Sequence, residues 1–424
     1  MGKNVIVLGC QWGDEGKGKV VDLLAEKADV IARFQGGANA GHTIRYGNKQ
    51  FILHLIPSGI IHPGKICYIG NGVVLDPFGF IEEIGLLKAK GIDTTGRLFV
   101  SSATNLVMPY HKMIDSMDEK KRGSDGLGTT LRGIGPAYRD KVGRFGIRLC
   151  DLYAPDRLKE KLESYRKMKT EYFNGTDDER ADMKKILSDL LDLAPLLKPM
   201  MVNVSLEITG HIVSGRSILF EGAQGAMLDV DLGTYPFATS SNTTTGGAMT
   251  GLGLGPKVFD EIIGVVKAYT TRVGSGPFPT ELVNETGARL REAGKEFGAT
   301  TGRPRRTGWI DLVGLRHACR INGIEKIAVT KLDVLDTFEK IRVCVGYRLN
   351  GEVLTEVPLD LAELWHVEPV YKEFEGWMIA TAGIDDFRKL PDKARKYLGF
   401  IADDLKVGIC LVSTGARREE TIVI

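Results

Sequence analysis

Asn4-Val-Ile-Val-Leu8, then Gly13-Asp-Glu-Gly-Lys-Gly-Lys19, then Val20-Val-Asp-Leu-Leu-Ala25: an apolar run, a glycine-rich turn and a helix-like stretch follow in close succession. Strand, glycine turn and helix together aim backbone N–H groups and a helix N-terminus at a phosphate. Gly13, Gly16 and Gly18 let the backbone approach an anion, and Lys17 and Lys19 add positive charge. The turn departs from the common phosphate-loop pattern, because no Ser or Thr follows the lysine to hold a magnesium ion. A carboxylate, Asp14, sits inside it instead. Beside phosphate oxygens a carboxylate is repelled unless a cation lies between them or it acts as a base. A glycine turn carrying a surface charge cluster is the plain structural alternative.

Composition narrows the class. At 424 residues the chain can bury a large core, and length alone permits roughly three domains. It is 43% hydrophobic and 26% charged with a formal net charge of +2, so nothing global draws it to nucleic acid or an anionic membrane. Any anion binding must be local. The 52 glycines fall between apolar runs, which points to a loop-rich site rather than disorder. The six cysteines (Cys10, Cys67, Cys150, Cys319, Cys344 and Cys410) form no Cys-x-x-Cys pair. Cys67, Cys344 and Cys410 fall in strand-like runs and read as small apolar packing residues. The seven histidines show no zinc spacing. A core strand begins at once and no apolar stretch could span a bilayer, so a cytoplasmic location is expected.

Apolar runs at 5–8, 30–34, 65–69, 97–100, 217–220, 262–266, 326–329 and 407–412 alternate with helical patterns. Several are too continuously apolar for a one-sided sheet, and predict an α/β fold with a mostly parallel central sheet covered by helices. The architecture expected is P-loop-like and nucleotide-binding, with helical and hairpin additions. Residues 156–212, rich in Lys, Glu, Asp and Leu at helical spacing, read as helices outside the sheet with solvated charged faces. Segments 341–349 and 352–358 flank Asn350-Gly351, a hairpin signal. With no linker and no internal repeat, residues 1–424 are expected to form one domain.

Two strand-like runs lead into Thr330-Lys331-Leu332-Asp333 and Ser413-Thr414-Gly415. In open α/β sheets ligands bind beyond the carboxyl ends of strands, which brings both tips near the glycine turn. An aspartate there can accept from the N1–H and 2-amino groups of guanine, donors that adenine lacks. The pair is similar to the base-recognition segments of GTP-binding proteins, with a lysine stem lying on the ring. A salt-bridged surface loop fits the four residues alone as well.

Further glycine-rich segments are Gln35-Gly-Gly-Ala-Asn-Ala-Gly-His-Thr43, Gly128-Thr-Thr-Leu-Arg-Gly-Ile-Gly-Pro136, Phe220-Glu-Gly-Ala-Gln-Gly225, Thr239-Ser-Ser-Asn-Thr-Thr244 and Ala299-Thr-Thr-Gly-Arg-Pro-Arg-Arg306. With Gln11-Trp-Gly-Asp-Glu-Gly-Lys-Gly-Lys19 they resemble the adenylosuccinate synthetase family, in order and spacing, from the first strand to Gly415. Members join IMP to L-aspartate at the expense of GTP. The hypoxanthine 6-oxygen leaves only once phosphorylated, so it must first be made nucleophilic. The resemblance implies that Asp14 takes the N1 proton and also ligates Mg2+ together with the Gly41 carbonyl, a hard-cation donor. Metal ligation lowers carboxylate basicity, so these two roles compete.

By the same resemblance His42 stabilises charge between the 6-oxygen and the γ-phosphate, and Lys17 neutralises the transferring phosphoryl group. Without its glycine neighbours His42 reads more readily as an ordinary loop histidine than as a catalytic one. GTP is implied to meet Gly13, Asp14, Glu15, Gly16, Lys17, Gly18 and Lys19, then Gly41, His42 and Thr43. Arg305 and the two strand-tip segments complete that set. IMP is implied to meet Asp14, Glu15, Gly16 and Lys17, then Asn39, Ala40, Gly41 and His42. Thr130, Gln224, Thr239 and Arg303 follow, and Arg144 reaches IMP from the other subunit of a homodimer. Aspartate is implied to meet Ala299, Thr300, Thr301, Gly302, Arg303, Pro304 and Arg305, arginine being suited to bidentate pairing with carboxylates. As plain alternatives, Arg303-Pro-Arg-Arg306 and the segment around Arg144 read as solvated basic turns. A GTP-binding switch or scaffold is the rival function, yet it needs neither an arginine loop for aspartate nor a separate monophosphate site.

Overall fold

The computed structural model describes residues 2–39, 41–46, 49–123, 126–298, 302–358 and 360–424. At its centre lies a ten-stranded sheet, numbered here in chain order. The strands are β1 Asn4–Gly9, β2 Val30–Arg33, β3 Ile66–Ile69, β4 Leu98–Ser101, β5 Met201–Val202, β6 Ile218–Glu221, β7 Glu261–Lys267, β8 Lys326–Thr330, β9 Gly408–Ser413 and β10 Thr421–Val423. Their order is β10-β9-β8-β7-β1-β6-β2-β3-β4-β5, parallel throughout except for the β9–β10 pair at one edge. All eight apolar runs of the sequence lie in this sheet.

Burial explains why those runs are continuous. Ile6 and Leu8 pack into one face with Val30, Ala32, Ile218 and Phe220, while Val7, Ile31 and Leu219 pack into the other. A strand buried on both sides needs no polar alternation. Helices Val204–Val213 and Thr245–Leu252 cover the first face through Val204, Ile208, Ala248 and Leu252. Helix α1, Lys17–Ala25, covers the second through Val20, Val21 and Ala25. Under β7, β8 and β9 a further core holds Val266, Val329 and Val412 against helices Leu312–Asn322 and Asp392–Leu405.

The stretch 156–212 departs from expectation. Helices Pro155–Met168 and Met183–Leu197 do bury one stripe each, with Leu158, Leu162, Ile186 and Leu190 in the core. But Val204–Val213 lies directly on the sheet, and Met201–Val202 pairs with β4 as its last strand. Two residues are too few to display a strand period. The hairpin forms as read: Asn350 (φ 50°) and Gly351 (φ 88°) turn between Lys340–Leu349 and Glu352–Leu354, with Leu349 opposite Glu352. Its second strand ends at Leu354 rather than at Pro358, and Glu368–Glu375 also pairs with Lys340–Leu349. The cysteines are all free, with Cys67 and Cys344 buried and Cys410 partly so. No helix among the described residues is long and apolar enough to cross a membrane.

The chain steps outward from β1 through β2, β3, β4 and β5, returns with β6 between β1 and β2, and continues on the other side with β7. Ligands of open α/β sheets bind outside the carboxyl ends of strands at such a reversal. Three of the glycine-rich segments, 13–19, 35–43 and 220–225, lie at the ends of β1, β2 and β6.

Candidate active site

The turn after β1 is built from left-handed backbone. Gly13 (φ 84°), Asp14 (φ 57°) and Gly16 (φ 83°) all take positive φ, and Gly16 caps α1. Aspartate is one of the few side chains that tolerates this region. Glu15 faces inward and is fully buried. Its Oε1 accepts from the Gln11 and Gly13 amides at 2.9 and 3.0 Å, and its Oε2 lies 2.5 Å from the Lys17 ammonium. A Cβ on Gly225 would stand 2.4 Å from that Oε1, so only glycine leaves room for the carboxylate. The Glu15 side chain thus organises the turn from within, and Lys17 is held in a buried ion pair. Asp14 points the other way. Its carboxylate is 44% exposed and accepts from Arg305 Nε at 2.8 Å, which brings the arginine loop to the phosphate turn.

His42 begins the strand His42–Tyr46, which packs close to α1 where Gly18 lies: a Cβ there would meet His42 Cβ at 3.3 Å. Its Nδ1 is 2.6 Å from Oε1 of Glu221, the last residue of β6. Glu221 is fully buried and also accepts from the Ser58 hydroxyl and the Ser58 amide, each at 2.7 Å. Burial alone would push this carboxyl up, but the His42 ring and Ser58 outweigh it and hold Glu221 below its usual value. With Nδ1 engaged, Nε2 is the ring nitrogen left for a ligand. Glu221 and Ser58 escape sequence reading, although a carboxylate ending a strand in Phe220-Glu-Gly-Ala-Gln-Gly225 is a signal that could find Glu221.

The two strand-tip segments meet the glycine-rich turn through side chains. Thr330 Oγ1 donates to the Glu15 carbonyl at 2.5 Å. Lys19 Nζ donates to Ser413 Oγ (2.7 Å), the Gly415 carbonyl (2.8 Å) and the Glu420 carbonyl (2.9 Å). Lys19 therefore clamps the β9 loop onto α1, and burial lowers its pKa to about 8. Lys331 stands in left-handed backbone (φ 57°) and donates to the Gly294 carbonyl at 2.6 Å and to Glu296 at 2.8 Å. Leu332, Ser413 and Thr414 are buried, and Asp333 is half-buried. Burial, then the neighbouring Asp336, raises the Asp333 carboxyl, while Lys331 and Lys19 oppose the rise.

Gln224 takes positive φ (58°) and donates through Nε2 to Asn39 Oδ1 at 3.0 Å, while its Oε1 accepts from Gln35 at 3.2 Å. Asp115 holds the Thr130 segment from behind, accepting from Thr129 Oγ1 at 3.0 Å and the Gly133 amide at 2.9 Å. Thr130 is exposed, and Thr239 is half-buried with its amide on the Leu228 carbonyl at 2.8 Å. Gly302, Arg303 and Pro304 are exposed; Gly302 N–H donates to the Gly298 carbonyl at 2.8 Å and Gly298 N–H to the Arg303 carbonyl at 2.9 Å. Gly41 and Thr43 are exposed beside His42. Arg144, exposed with φ 66°, ends the helix Ile134–Gly143. Ala40, Ala299, Thr300 and Thr301 lie outside the described residues. Among the described residues no group of three or more His, Cys, Asp and Glu side chains could hold a metal.

A family model described as adenylosuccinate synthetase matches residues 6–422. The chain is 52% identical over 423 residues to the adenylosuccinate synthetase of Thermodesulfovibrio yellowstonii, covering 99% of this chain and 98% of that one. Against the enzyme of Clostridium botulinum the identity is 50% over 421 residues, with 99% and 98% covered. Among solved structures, fully ligated adenylosuccinate synthetase from Plasmodium falciparum is similar over 100% of both chains, at a TM-score of 0.94 and 40% identity. A cyanophage S-2L succinoaminodeoxyadenylate synthetase shares the fold, at a TM-score of 0.62 and 18% identity over 100% of this chain and 95% of that one.

Proposed function

The chain belongs to the adenylosuccinate synthetase family, and from that premise we propose how its strand-tip cleft divides the work of the reaction. The enzyme is a GTP-dependent carbon–nitrogen ligase that joins IMP to L-aspartate, yielding adenylosuccinate, GDP and phosphate in AMP synthesis. The observation that carries the division of labour is the Arg305–Asp14–phosphate-turn contact beside the buried Glu221–His42 pair.

Asp14 takes the proton from N1 of IMP, which moves charge onto the 6-oxygen. That oxygen attacks the γ-phosphorus as the bond to GDP breaks, and His42 Nε2 donates a hydrogen bond to the charge building between them. The aspartate amine then forms its bond to C6 and phosphate leaves. Lys17 balances phosphoryl charge, a role that requires its ammonium to turn from Glu15 or be shared with it. Mg2+ would be held by the Asp14 carboxylate and the Gly41 carbonyl and, when bound, would neutralise phosphate charge. Asn39, Gln224, Thr239 and Thr130 would bind the monophosphate nucleotide with neutral donors, and residues 299–305 the aspartate carboxylates. The chain is read as one domain of residues 1–424, acting in the cytoplasm.

Asp333 reads guanine in this proposal, so Asp333→Asn should shift preference from GTP toward XTP, whose 2-oxo group accepts where guanine donates. The ultraviolet absorbance change on mixing IMP, aspartate, magnesium and either nucleotide gives both kcat/KM values. An unchanged ratio would mean that Asp333 does not touch the base.

A homodimer is part of the same reading, with Arg144 meeting the IMP phosphate in the other subunit. Its support is position: an exposed arginine ending a helix that starts at the Thr130 segment, beside exposed Val142 and Phe145. Mixing Asp14→Ala with Arg144→Leu under subunit exchange gives half mixed dimers with one competent site each. Activity should return to roughly a quarter of wild type in a two-fold dimer. No recovery despite demonstrated exchange would place Arg144 in its own subunit's site or in none.

A further inference from the structure

Beneath the guanine segment lies a charge cluster for which the reaction steps have no use. Glu296 is buried, and its Oε1 alone accepts from Lys267 Nζ at 2.9 Å, from Lys331 Nζ at 2.8 Å and from the Tyr269 hydroxyl. Lys267 is fully buried and also donates to Thr271 Oγ1 at 2.7 Å. Burial opposes ionisation of Glu296, yet Lys267 and Lys331 together hold its carboxyl at about 2. The carboxylate is therefore charged at any working pH. Its main-chain carbonyl accepts from the Arg305 amide at 2.8 Å, so the same residue underlies the arginine that meets Asp14.

One member of the cluster reaches the cleft. The Lys331 side chain is 33% exposed, against 0% for Lys267 and 5% for Glu296. A lysine stem loses rotamer freedom when a ligand settles on it, unless the protein has already fixed its far end. Here Glu296 and the Gly294 carbonyl fix it. We propose that Glu296 is a positioning residue for GTP: it anchors the Lys331 ammonium so that the aliphatic stem stands preset against the guanine ring. The inference rests on the guanine reading of Thr330-Lys-Leu-Asp333.

Glu296→Gln alone strands the buried Lys267 charge and risks unfolding. Lys267→Met with Glu296→Gln removes the buried pair together and leaves Lys331 without its carboxylate. In that double variant KM for GTP should rise about tenfold, the scale of one lost preorganised anchor, with KM for IMP and kcat little changed. Lys267→Met alone keeps Glu296 on Lys331 and should leave KM for GTP near wild type. An unmoved KM for GTP in the double variant overturns the proposal. So does an equal rise in Lys267→Met, which would make the cluster packing only. Asp333→Asn measured alongside separates the two failures: an unchanged GTP-to-XTP ratio removes the guanine reading itself. A shifted ratio with an unmoved KM in the double variant removes only the role of Glu296.

Discussion

Asp14→Asn should lower kcat by at least ~10²-fold, within the range of a lost general base, while the fold stays as stable as wild type. The two halves of this expectation have separate causes. Asparagine matches aspartate in size and tolerates the left-handed backbone that Asp14 adopts at φ 57° as readily, so the turn keeps its shape. The one ion pair lost is with Arg305, and the Asp14 side chain is 44% exposed there. Solvent-screened pairs of this kind contribute about 0–1 kcal/mol, so melting should move by a few degrees at most. An amide cannot accept the N1 proton and is a poorer magnesium donor, so the loss falls on turnover. A kcat within threefold of wild type, measured by the absorbance change, would remove Asp14 from the chemistry. A large drop in melting temperature would instead reassign it to the architecture of the turn.

What the sequence made legible follows from how each feature is encoded. Strands buried on both faces write themselves as unbroken apolar runs, so Asn4–Gly9 or Lys326–Thr330 can be read without a partner. Met201–Val202 and Thr421–Val423 belong to the same sheet but are too short to carry a period. The hairpin at Asn350-Gly351 was readable because its turn needs two residues of positive φ in sequence. Its third strand, Glu368–Glu375, runs three half-buried residues (Pro369, Val370 and Tyr371) into two exposed charges (Lys372 and Glu373), which blurs the period-2 signal.

The site divides in the same way. Loops that wrap phosphates need contiguous glycines and small polar residues, and these stand out. Side chains that act through distant partners do not. Ser58 and Glu221 are 163 positions apart, and only the register of β6 beside β2 and β1 brings that carboxylate to the crevice. Lys19 has the same character: within its motif it looks like phosphate charge, whereas its ammonium spends its donors on Ser413, Gly415 and Glu420. Lys267 and Glu296, in separate unremarkable contexts, acquire meaning only as neighbours of Lys331.

Glu221 supplies the second large effect. Glu221→Gln should cut kcat on the order of 10²-fold and leave KM for IMP within a few-fold, because Glu221 is fully buried and reaches the site through His42. The carboxylate can only accept, so Nδ1 carries a proton toward Glu221; for Nε2 to donate as well the ring must be the imidazolium, whose charge Glu221 balances. A neutral amide balances no charge, so the imidazolium loses the partner that supports it as the donor to the developing charge. The same change replaces one acceptor of the Ser58 contacts, so some loss of packing must be separated from loss of chemistry. A double-mutant comparison does this. His42→Asn should itself cost turnover with little change in IMP affinity, since its contact strengthens mainly in the transition state. If Glu221 acts through His42, adding Glu221→Gln to His42→Asn should lower kcat no further, as expected of residues that work as a unit. Multiplying effects would mean that Glu221 serves the fold or another group. Near-normal turnover in His42→Asn would defeat the role of both.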